Sequence, residues 1–401
     1  MEELEQYLER RAQGENPLAA LLRLPAEEKQ RRGVVHTPRE IMQQPWAWRE
    51  TARVVFERRE ELREFLRCGG GVDAVVLAGA GSSAHAGLSL VPLFREHGLA
   101  ACDVPTTDLV VKWQDIFSDK QGYLSYLLVS LARSGDSPES TGAVDRVLRY
   151  FPRVRHLVIC CNANGALPRK YRDCPNVFTL ILPEATNDRS LVMTSAYTSL
   201  IVAGQCVAEL ERAAAYRAIL EALATAAERV VDGAGVAEEV AALDPSRVCL
   251  LAPRDLLGMV REGALKILET TAGRVATLAE TFLGLRHGSL VFLDERTALL
   301  YFFSSDPHSR KYEQDLADEV RAKGLGMAAV GLGPGEAEQM RYSLSQAYPE
   351  GVPDLFRSPL DALFPQMLAL FLCLRLGLRP DNPSEGGVIH RVVEGVRLYG
   401  P

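Results

Sequence analysis

The sequence lacks the features that mark several large classes of protein. Its eight cysteines include no CxxC pair, and no histidine cluster has the spacing of a zinc site. The formal charge of −7 is spread along 401 residues without a basic stripe, which argues against nucleic-acid binding. The most apolar late stretch, residues 362–378, contains Pro365, Gln366 and Arg375. It therefore predicts a core helix and no membrane span.

These absences favour a cytoplasmic protein with reduced, mostly buried thiols and no redox or metal chemistry. The first five residues are acidic and polar, so no secretory signal is expected. A hydrophobic content of 47% is ample for buried cores, and the length has room for two domains of ordinary size plus a short extension.

Strands and helices alternate along the chain, and its two halves follow the same plan. The predicted strands cover residues 73–79, 123–130 and 155–161 in the first half and 247–252, 299–303 and 326–332 in the second. Such alternation is typical of parallel βαβ units. The sequence therefore predicts an α/β fold of two tandem, doubly wound, three-layer αβα domains with parallel sheets.

The predicted boundaries follow from composition. Residues 1–50 form a helical N-terminal extension, which is amphipathic and interrupted by Pro17 and Pro25. The first domain is expected over 51–231 and the second over 232–401. A long alanine-rich helical stretch, residues 193–231, separates the two halves and ends at the glycine-containing segment 232–235.

A small, hydroxyl-rich turn joins the second predicted strand to a helix over 138–150. A turn that opens a helix presents free backbone N–H groups and a positive dipole end to an anion. Ser134 and Ser137 can add hydroxyl donors, Gly135 lets the backbone approach closely, and Arg133 can supply charge. The alternative is an ordinary serine-rich helix cap.

The turn after the first strand, residues 80–87, is similarly small. It resembles a dinucleotide fingerprint only loosely, because its glycines lack the GxGxxG spacing. Ser82 and Ser83 suit a sugar hydroxyl or a phosphate better. A tight turn that needs small residues for packing is an equally good interpretation.

The strongest catalytic candidates lie on a helix over 257–271. Glu262, Lys266 and Glu269 are spaced to share one helical face, whereas Leu265 and Leu268 fall on another side, which is expected to pack in the core. An exposed row of salt bridges is the alternative from spacing alone. Since this helix begins at the carboxyl end of a strand, a carboxylate beside the lysine can act as a general base.

A glycine-punctuated segment, residues 280–289, carries Glu280, Arg286 and His287. We expect it to be a loop before a strand over 290–293. A histidine in a loop can exchange protons near neutral pH.

Together these segments resemble the sugar isomerase (SIS) superfamily, specifically the double-SIS proteins of the galactosamine-6-phosphate deaminase/isomerase family, often labelled tagatose-6-phosphate ketose/aldose isomerases. The resemblance runs from residue 40 to the end. Its motifs are Val104–Leu109, Arg133–Ser140, Asp188-Arg189, Met193–Ser195, Arg286–Gly288, Arg310 with Tyr312 and Asp315, Asn382–Ser384 and Arg391–Val393.

The resemblance implies a role for each matching residue. Glu269 would move a proton between C2 and C1, Lys266 and Glu262 would set its environment, and His287 would assist ring opening. In relatives this histidine comes from a neighbouring subunit. The predicted substrate- and phosphate-binding residues are Ser82, Ser83, Arg133, Ser134, Gly135, Ser137, Thr194, Ser195, Arg310 and Arg391.

Three departures from the family pattern have consequences. No glutaminase domain precedes the match, so ammonia release is favoured over glutamine-dependent amination. The second half carries Ala252-Pro253-Arg254 where relatives have a glycine-rich turn, which puts ligand binding by that turn in doubt. His287-Gly288 is followed by Ser289 where relatives usually have proline, so the resemblance does not define the loop geometry.

The leading hypothesis is an aldose–ketose isomerase with deaminase activity on a hexosamine 6-phosphate, which yields a ketohexose phosphate and ammonia. It would need no metal ion and no nucleotide. A fructosamine-6-phosphate deglycase and a sugar-phosphate sensor without turnover are the alternatives. Because one site residue is expected from a partner chain, we predict a homodimer or a higher homo-oligomer with a shared active site.

Overall fold

The computed structural model describes residues 2–117, 124–335, 340–384, 386–393 and 395–399. Two compact units interleave along the chain. The first-sheet unit comprises residues 47–187, 196–217 and 389–401, and the second-sheet unit comprises residues 1–46, 188–195 and 218–388. The predicted boundaries at 50/51 and 231/232 stay a prediction.

The first-sheet unit is built on a five-stranded parallel sheet in the order β2-β1-β3-β4-β5. Its strands are β1 (Ala74–Ala78), β2 (Ala100–Asp103), β3 (Tyr126–Ala132), β4 (Arg155–Cys160) and β5 (Val177–Ile181). All of β1 and nearly all of β3 and β4 are buried, because helices flank the sheet and the strands are continuous apolar runs. The three predicted strands are confirmed; Tyr123, the first residue of the second one, lies outside the described residues.

The second-sheet unit repeats this plan with the order β10-β9-β8-β6-β7, again all parallel. Its strands are β6 (Arg247–Ala252), β7 (Ala276–Thr281), β8 (Thr297–Phe302), β9 (Ala328–Leu332) and β10 (Tyr342–Ser343). The three strands predicted here are also confirmed, and so is the α/β class with two tandem domains.

The helices cover the sheets and form the N-terminal region. In chain order the α-helices are Leu4–Ala12, Pro17–Arg23, Ala26–Arg32, Thr37–Met42, Gln44–Glu57, Arg59–Arg67, Ser82–Glu96, Thr106–Ile116, Pro138–Tyr150, Ala166–Lys170, Ser195–Ala208, Ala213–Asp232, Ala234–Ala242, Leu257–Thr270, Phe282–Leu285, Pro307–Ala322, Asp354–Asp361 and Leu363–Arg375. The predicted core helix is confirmed, since residues 363–373 are all buried. None of the described helices is both long and apolar enough to span a bilayer.

Carboxylates fasten the N-terminal helices to the second-sheet unit. Asp381 accepts hydrogen bonds from the backbone N–H groups of Val35 (2.7 Å) and Thr37 (2.8 Å). Glu40 accepts from Ser190 through both its backbone and its hydroxyl group. Burial, and then the neighbouring Asp188, raise the pKa of Glu40 well above its ordinary value. The predicted interruptions are also found, because Pro17 begins a helix and Pro25 precedes one.

Candidate active site

The strand order places one crevice at the carboxyl edge of each sheet. The chain adds its second strand on one side of the first strand and its third strand on the other, so the order reverses beside the first strand. Ligands of doubly wound sheets bind at this switch point. The first crevice lies between β1 and β3 and the second lies between β6 and β8.

The turn after β1 places two predicted serines at one edge of the first crevice. Ser82 and Ser83 are the first residues of the helix Ser82–Glu96, and both are buried. A Cβ atom at Gly79 would lie 2.5 Å from the backbone carbon of Ser83. The small residues therefore allow the helix start to fold back tightly against the end of the strand.

The turn after β3 forms the other edge of the first crevice. Gly135 has φ = +69°, a left-handed conformation that favours glycine. The loop that follows β4 holds this turn in place. Its Asn162 donates to the Ser134 carbonyl (2.9 Å) and Leu167 N–H to the Gly135 carbonyl (2.8 Å), and Asp136 accepts from Ala166 N–H (2.9 Å).

The helix that follows this turn starts without a side-chain cap. Ser137 precedes Pro138–Tyr150, but its hydroxyl donates to Glu139 (2.6 Å) instead of accepting from the helix. No described side-chain carboxylate accepts a hydrogen bond from the backbone N–H of Ser134, Gly135 or Ser137. The positive end of the helix is thus available to an anion.

Two arginines join the first crevice. Arg133 is buried, and its guanidinium donates to the carbonyl of Arg391. The Arg391 side chain in turn donates to Asn187 (2.7 Å). The structure therefore brings the C-terminal segment that carries Arg391 to the serine-rich turn, and both arginines supply positive charge there.

The structure places Thr194 and Ser195 in the interior of the second-sheet unit. Both are buried. Asp188 accepts from the Thr194 N–H group (2.7 Å) and from the Ser195 hydroxyl, while Gln43 donates to the Ser195 oxygen (2.9 Å). These contacts join the N-terminal helices to the segment 188–195.

The helix Leu257–Thr270 brings Glu262, Lys266 and Glu269 together. Lys266 Nζ lies 3.3 Å from a Glu262 oxygen and 2.5 Å from a Glu269 oxygen. Glu262 and Lys266 are 1% exposed, whereas the Glu269 side chain is 24% exposed. Burial alone would lower the pKa of Lys266, but the two carboxylates outweigh it and raise that pKa. We call these three residues the Glu262 triad.

One expectation about this helix was wrong, because Leu268 is 43% exposed instead of packing in the core and Leu265 is only partly buried. The alternative of an exposed row of salt bridges is excluded, since Glu262 and Lys266 are buried. The helix packs closely through Gly263, where a Cβ atom would lie 2.8 Å from Leu250 and 2.9 Å from Pro365. β6 and the core helix therefore pack closely on the helix at Gly263, and the neighbouring Glu262 is buried, as is Lys266 one turn further along.

The segment around His287 differs from the predicted loop and strand. Glu280 lies in β7, and the helix Phe282–Leu285 follows directly. Ser289–Phe292 forms a 3₁₀-helix where a strand over 290–293 was expected. Four residues are enough for one helical turn here because the Thr281 side chain caps it by accepting from Gly284 N–H. His287 is exposed, and its imidazole makes no hydrogen bond with another described residue.

The second crevice contains Arg310 and an ionic cluster that the sequence reading missed. Arg310 donates to the carbonyls of Ser304 (2.9 Å) and Ser305 (3.1 Å) in the turn after β8. Beside them lie Asp354, Arg357 and Asp361 on the helix Asp354–Asp361, which we call the Arg357 triad. Their spacing, acid–base–acid over eight residues, could have revealed them, because the Glu262 triad spans the same length with the same order of charges.

Comparison with known proteins identifies close relatives. A Streptomyces coelicolor protein, provisionally named D-galactosamine-6-phosphate deaminase AgaS, is 39% identical over 91% of this chain and 95% of its own. The D-galactosamine-6-phosphate deaminase AgaS of Escherichia coli is 32% identical over 90% of this chain and 95% of its own.

Among solved structures, a Clostridium novyi protein provisionally assigned as a tagatose-6-phosphate ketose/aldose isomerase has a TM-score of 0.84 and 32% identity. The structural match covers 93% of this chain and 97% of the Clostridium novyi chain. No family model matches the sequence.

Proposed function

Because the chain belongs to the family of the D-galactosamine-6-phosphate deaminases, we propose that it converts a hexosamine 6-phosphate, galactosamine 6-phosphate in the first instance, into a ketohexose 6-phosphate and ammonia. One observation carries the proposal. A partly exposed carboxylate, Glu269, ends a buried triad whose lysine holds it in place. Such a group can take and return a proton.

The phosphate would bind in the first crevice. Ser83, Ser134 and Ser137 would donate to it together with the amides of Gly135 and its neighbours, and Arg133 and Arg391 would supply charge. The support is the uncapped helix start, the left-handed glycine and the position of both turns at the switch point.

The Glu262 triad would carry out the proton transfer. Glu269 removes the C2 proton of the open-chain amino aldehyde, which gives an enolamine, and then delivers a proton to C1. The product is a 2-imine, and water hydrolyses it to the ketone and ammonia. Lys266 stays cationic, since its pKa is raised, and it fixes one oxygen of Glu269 while Glu262 balances the charge.

His287 would open the sugar ring by general acid–base catalysis in the site of a second copy. The support is that His287 is exposed, and that its imidazole makes no hydrogen bond with another described residue. We therefore propose a homodimer or a higher homo-oligomer with a shared site.

Ammonia release tests the activity. Wild type and Glu269→Gln are assayed with galactosamine 6-phosphate, glucosamine 6-phosphate and fructosamine 6-phosphate. We expect ammonia from a hexosamine 6-phosphate and a rate about 10²–10⁴-fold lower in the variant. The matched control is Glu28→Gln, which removes an exposed carboxylate paired with Arg31 at the same three-residue spacing and should keep full rate.

Absence of ammonia from both hexosamine phosphates, or full rate in Glu269→Gln, contradicts the proposal. Release of a free amine from fructosamine 6-phosphate alone indicates the deglycase.

Mixing two impaired variants tests the shared site. Glu269→Gln and His287→Ala are each expected to keep about 1% or less of the wild-type rate. If His287 acts in the neighbouring copy, half of the dimers formed on mixing are hybrids with one intact site, so about a quarter of the wild-type rate returns. No recovery after subunit exchange would show that both residues act within one chain.

A further inference from the structure

The second crevice already contains an anion that belongs to the chain itself. In the turn after β8, the Ser304 hydroxyl donates to Asp354 Oδ2 (2.5 Å) and the Ser305 N–H group donates to Asp354 Oδ1 (2.8 Å). A serine hydroxyl and a backbone amide just before a helix, here Pro307–Ala322, are the donors that a bound phosphate uses. The Asp354 carboxylate occupies them.

A buried arginine completes the set of donors around this carboxylate. Arg357 is 1% exposed, and its Nη1 lies 2.7 Å from Asp354 Oδ1. Its Nη2 lies 3.1 Å from Asp361 Oδ2. Glu313 accepts from the Ser304 N–H group (2.7 Å). Three donors of the turn, the hydroxyl and N–H groups of Ser304 and the N–H group of Ser305, are therefore directed to internal carboxylates.

The helix that carries Asp354 lies across the crevice. Asp354–Asp361 packs against the 3₁₀-turn Arg254–Leu256, which follows β6, while its first residue contacts the turn that follows β8. These two turns form the edges of the second crevice, because β6 and β8 are neighbours in the sheet. The start of the helix therefore lies where the strand order would place a ligand.

We propose that the Asp354 carboxylate acts as an intramolecular anion that fills the second crevice and closes it to external phosphate. The comparison with a phosphate-binding first crevice depends on the proposed function, but the contacts of Asp354 do not. The duplicated half thus keeps an anion-binding turn and uses it to fix its own helix.

Chemical rescue tests the proposal. Asp354→Ala removes the carboxylate and leaves a space in which formate can bind the same donors. We expect the melting temperature to fall, and formate to restore at least half of the loss, whereas chloride at equal ionic strength restores little. Formate should leave wild type unchanged relative to chloride. Because the readout is stability, failure of the proposed enzyme activity would not affect it.

The matched control is Asp361→Ala, which removes the other carboxylate partner of Arg357 but leaves the turn and its occupant in place. Rescue by formate should be clearly weaker there. Equal rescue of the two variants would mean that Arg357 alone holds the anion, and it would overturn the proposal. So would no rescue of Asp354→Ala. If this variant does not fold in chloride, recovery of folded protein on refolding in formate supports the proposal, and failure in both salts overturns it.

Discussion

The two crevices share a strand order but differ in what their turns bind. In the first, the backbone N–H groups of Ser134, Gly135 and Ser137 donate no hydrogen bond to a carboxylate of the described residues, and the helix start has no side-chain cap. In the second, Ser304 and Ser305 donate to Asp354 and Glu313. The same fold can therefore leave its switch point open to a ligand or fill it with a side chain, and the side chain that fills the second one comes from a separate helix, Asp354–Asp361.

The two acid–base–acid triads show the same contrast. In the Arg357 triad the side chains of Asp354, Arg357 and Asp361 are 10%, 1% and 0% exposed. In the Glu262 triad Glu269 is 24% exposed. A carboxylate that reaches solvent can exchange a proton with a substrate, whereas a fully enclosed triad can only stabilise the fold. Exposure of the last carboxylate thus separates the catalytic candidate from the structural cluster.

The largest effect is expected from removing the buried cation of the structural triad. Arg357→Met leaves two buried carboxylates without their partner, so the free energy of unfolding should fall by about 3–5 kcal/mol. Chemical denaturation measures it. Arg321→Met, which breaks the exposed pair with Asp318, is the control and should cost under about 0.5 kcal/mol. Similar losses in both variants would contradict the structural role of the triad.

The second crevice should also make stability depend on pH. Burial raises the pKa of Glu313 to about 7, and the charge of Asp354 adds to this effect. The hydrogen bond from Ser304 N–H and the charges of Arg357 and Arg310 act in the opposite direction. A carboxyl whose folded pKa is raised stabilises the fold fully below its unfolded value, near 4.5, and this contribution is lost as pH rises through 7.

Glu313→Gln isolates this dependence, because glutamine does not titrate and its oxygen can still accept from Ser304 N–H. Between pH 4.5 and 8, wild type should lose about 3 kcal/mol of unfolding free energy relative to the variant. Denaturation at four or five pH values measures the difference. A difference that is constant over this range would show that Glu313 keeps an ordinary pKa.

Placing a carboxylate in the first turn should make the first crevice resemble the second. In Ser134→Asp the new charge would face the phosphate that we propose binds at this turn, and like charges in contact cost several kcal/mol. We expect KM for the hexosamine phosphate to rise about 100-fold, or about 2.7 kcal/mol. Ser134→Asn, similar in size but neutral, should raise it about tenfold. If the two variants have equal KM values, the phosphate does not bind at this turn.

The sequence predicted the central strands but not the edges of the sheets. Six of the seven predicted strands lie inside their sheets, and the seventh, over 290–293, is a 3₁₀-helix. The strands that were not predicted, β2, β5, β7 and β10, are all edge strands. Central strands of a parallel sheet are covered on both faces and read as continuous apolar runs. The edge strand Ala276–Thr281 has no buried residue, so its sequence carries no such run.

The sequence predicted the spacing of the candidate catalytic residues along their helix but not the burial of their side chains. The Glu262 triad shares a face, as predicted, yet spacing alone favoured an exposed row. What decides its burial is Gly263, which lets β6 and Pro365 approach from parts of the chain distant in sequence. The same reason hid the Arg357 triad, since its partner turn lies about fifty residues away.

The smallest effect is expected from the glycine that shapes the first turn. In Gly135→Ala, the left-handed φ of +69° costs about 1–2 kcal/mol, and the new Cβ atom would lie 2.9 Å from the Cys160 sulfur. Gly98→Ala imposes the same kind of backbone strain, φ = +77°, in open space and should cost only that strain. Denaturation of both variants separates the contact from the strain. Adding Cys160→Ala to Gly135→Ala should recover the extra loss of unfolding free energy relative to Gly98→Ala, because the smaller side chain removes the contact. If this loss is not recovered, the turn is strained by its backbone alone.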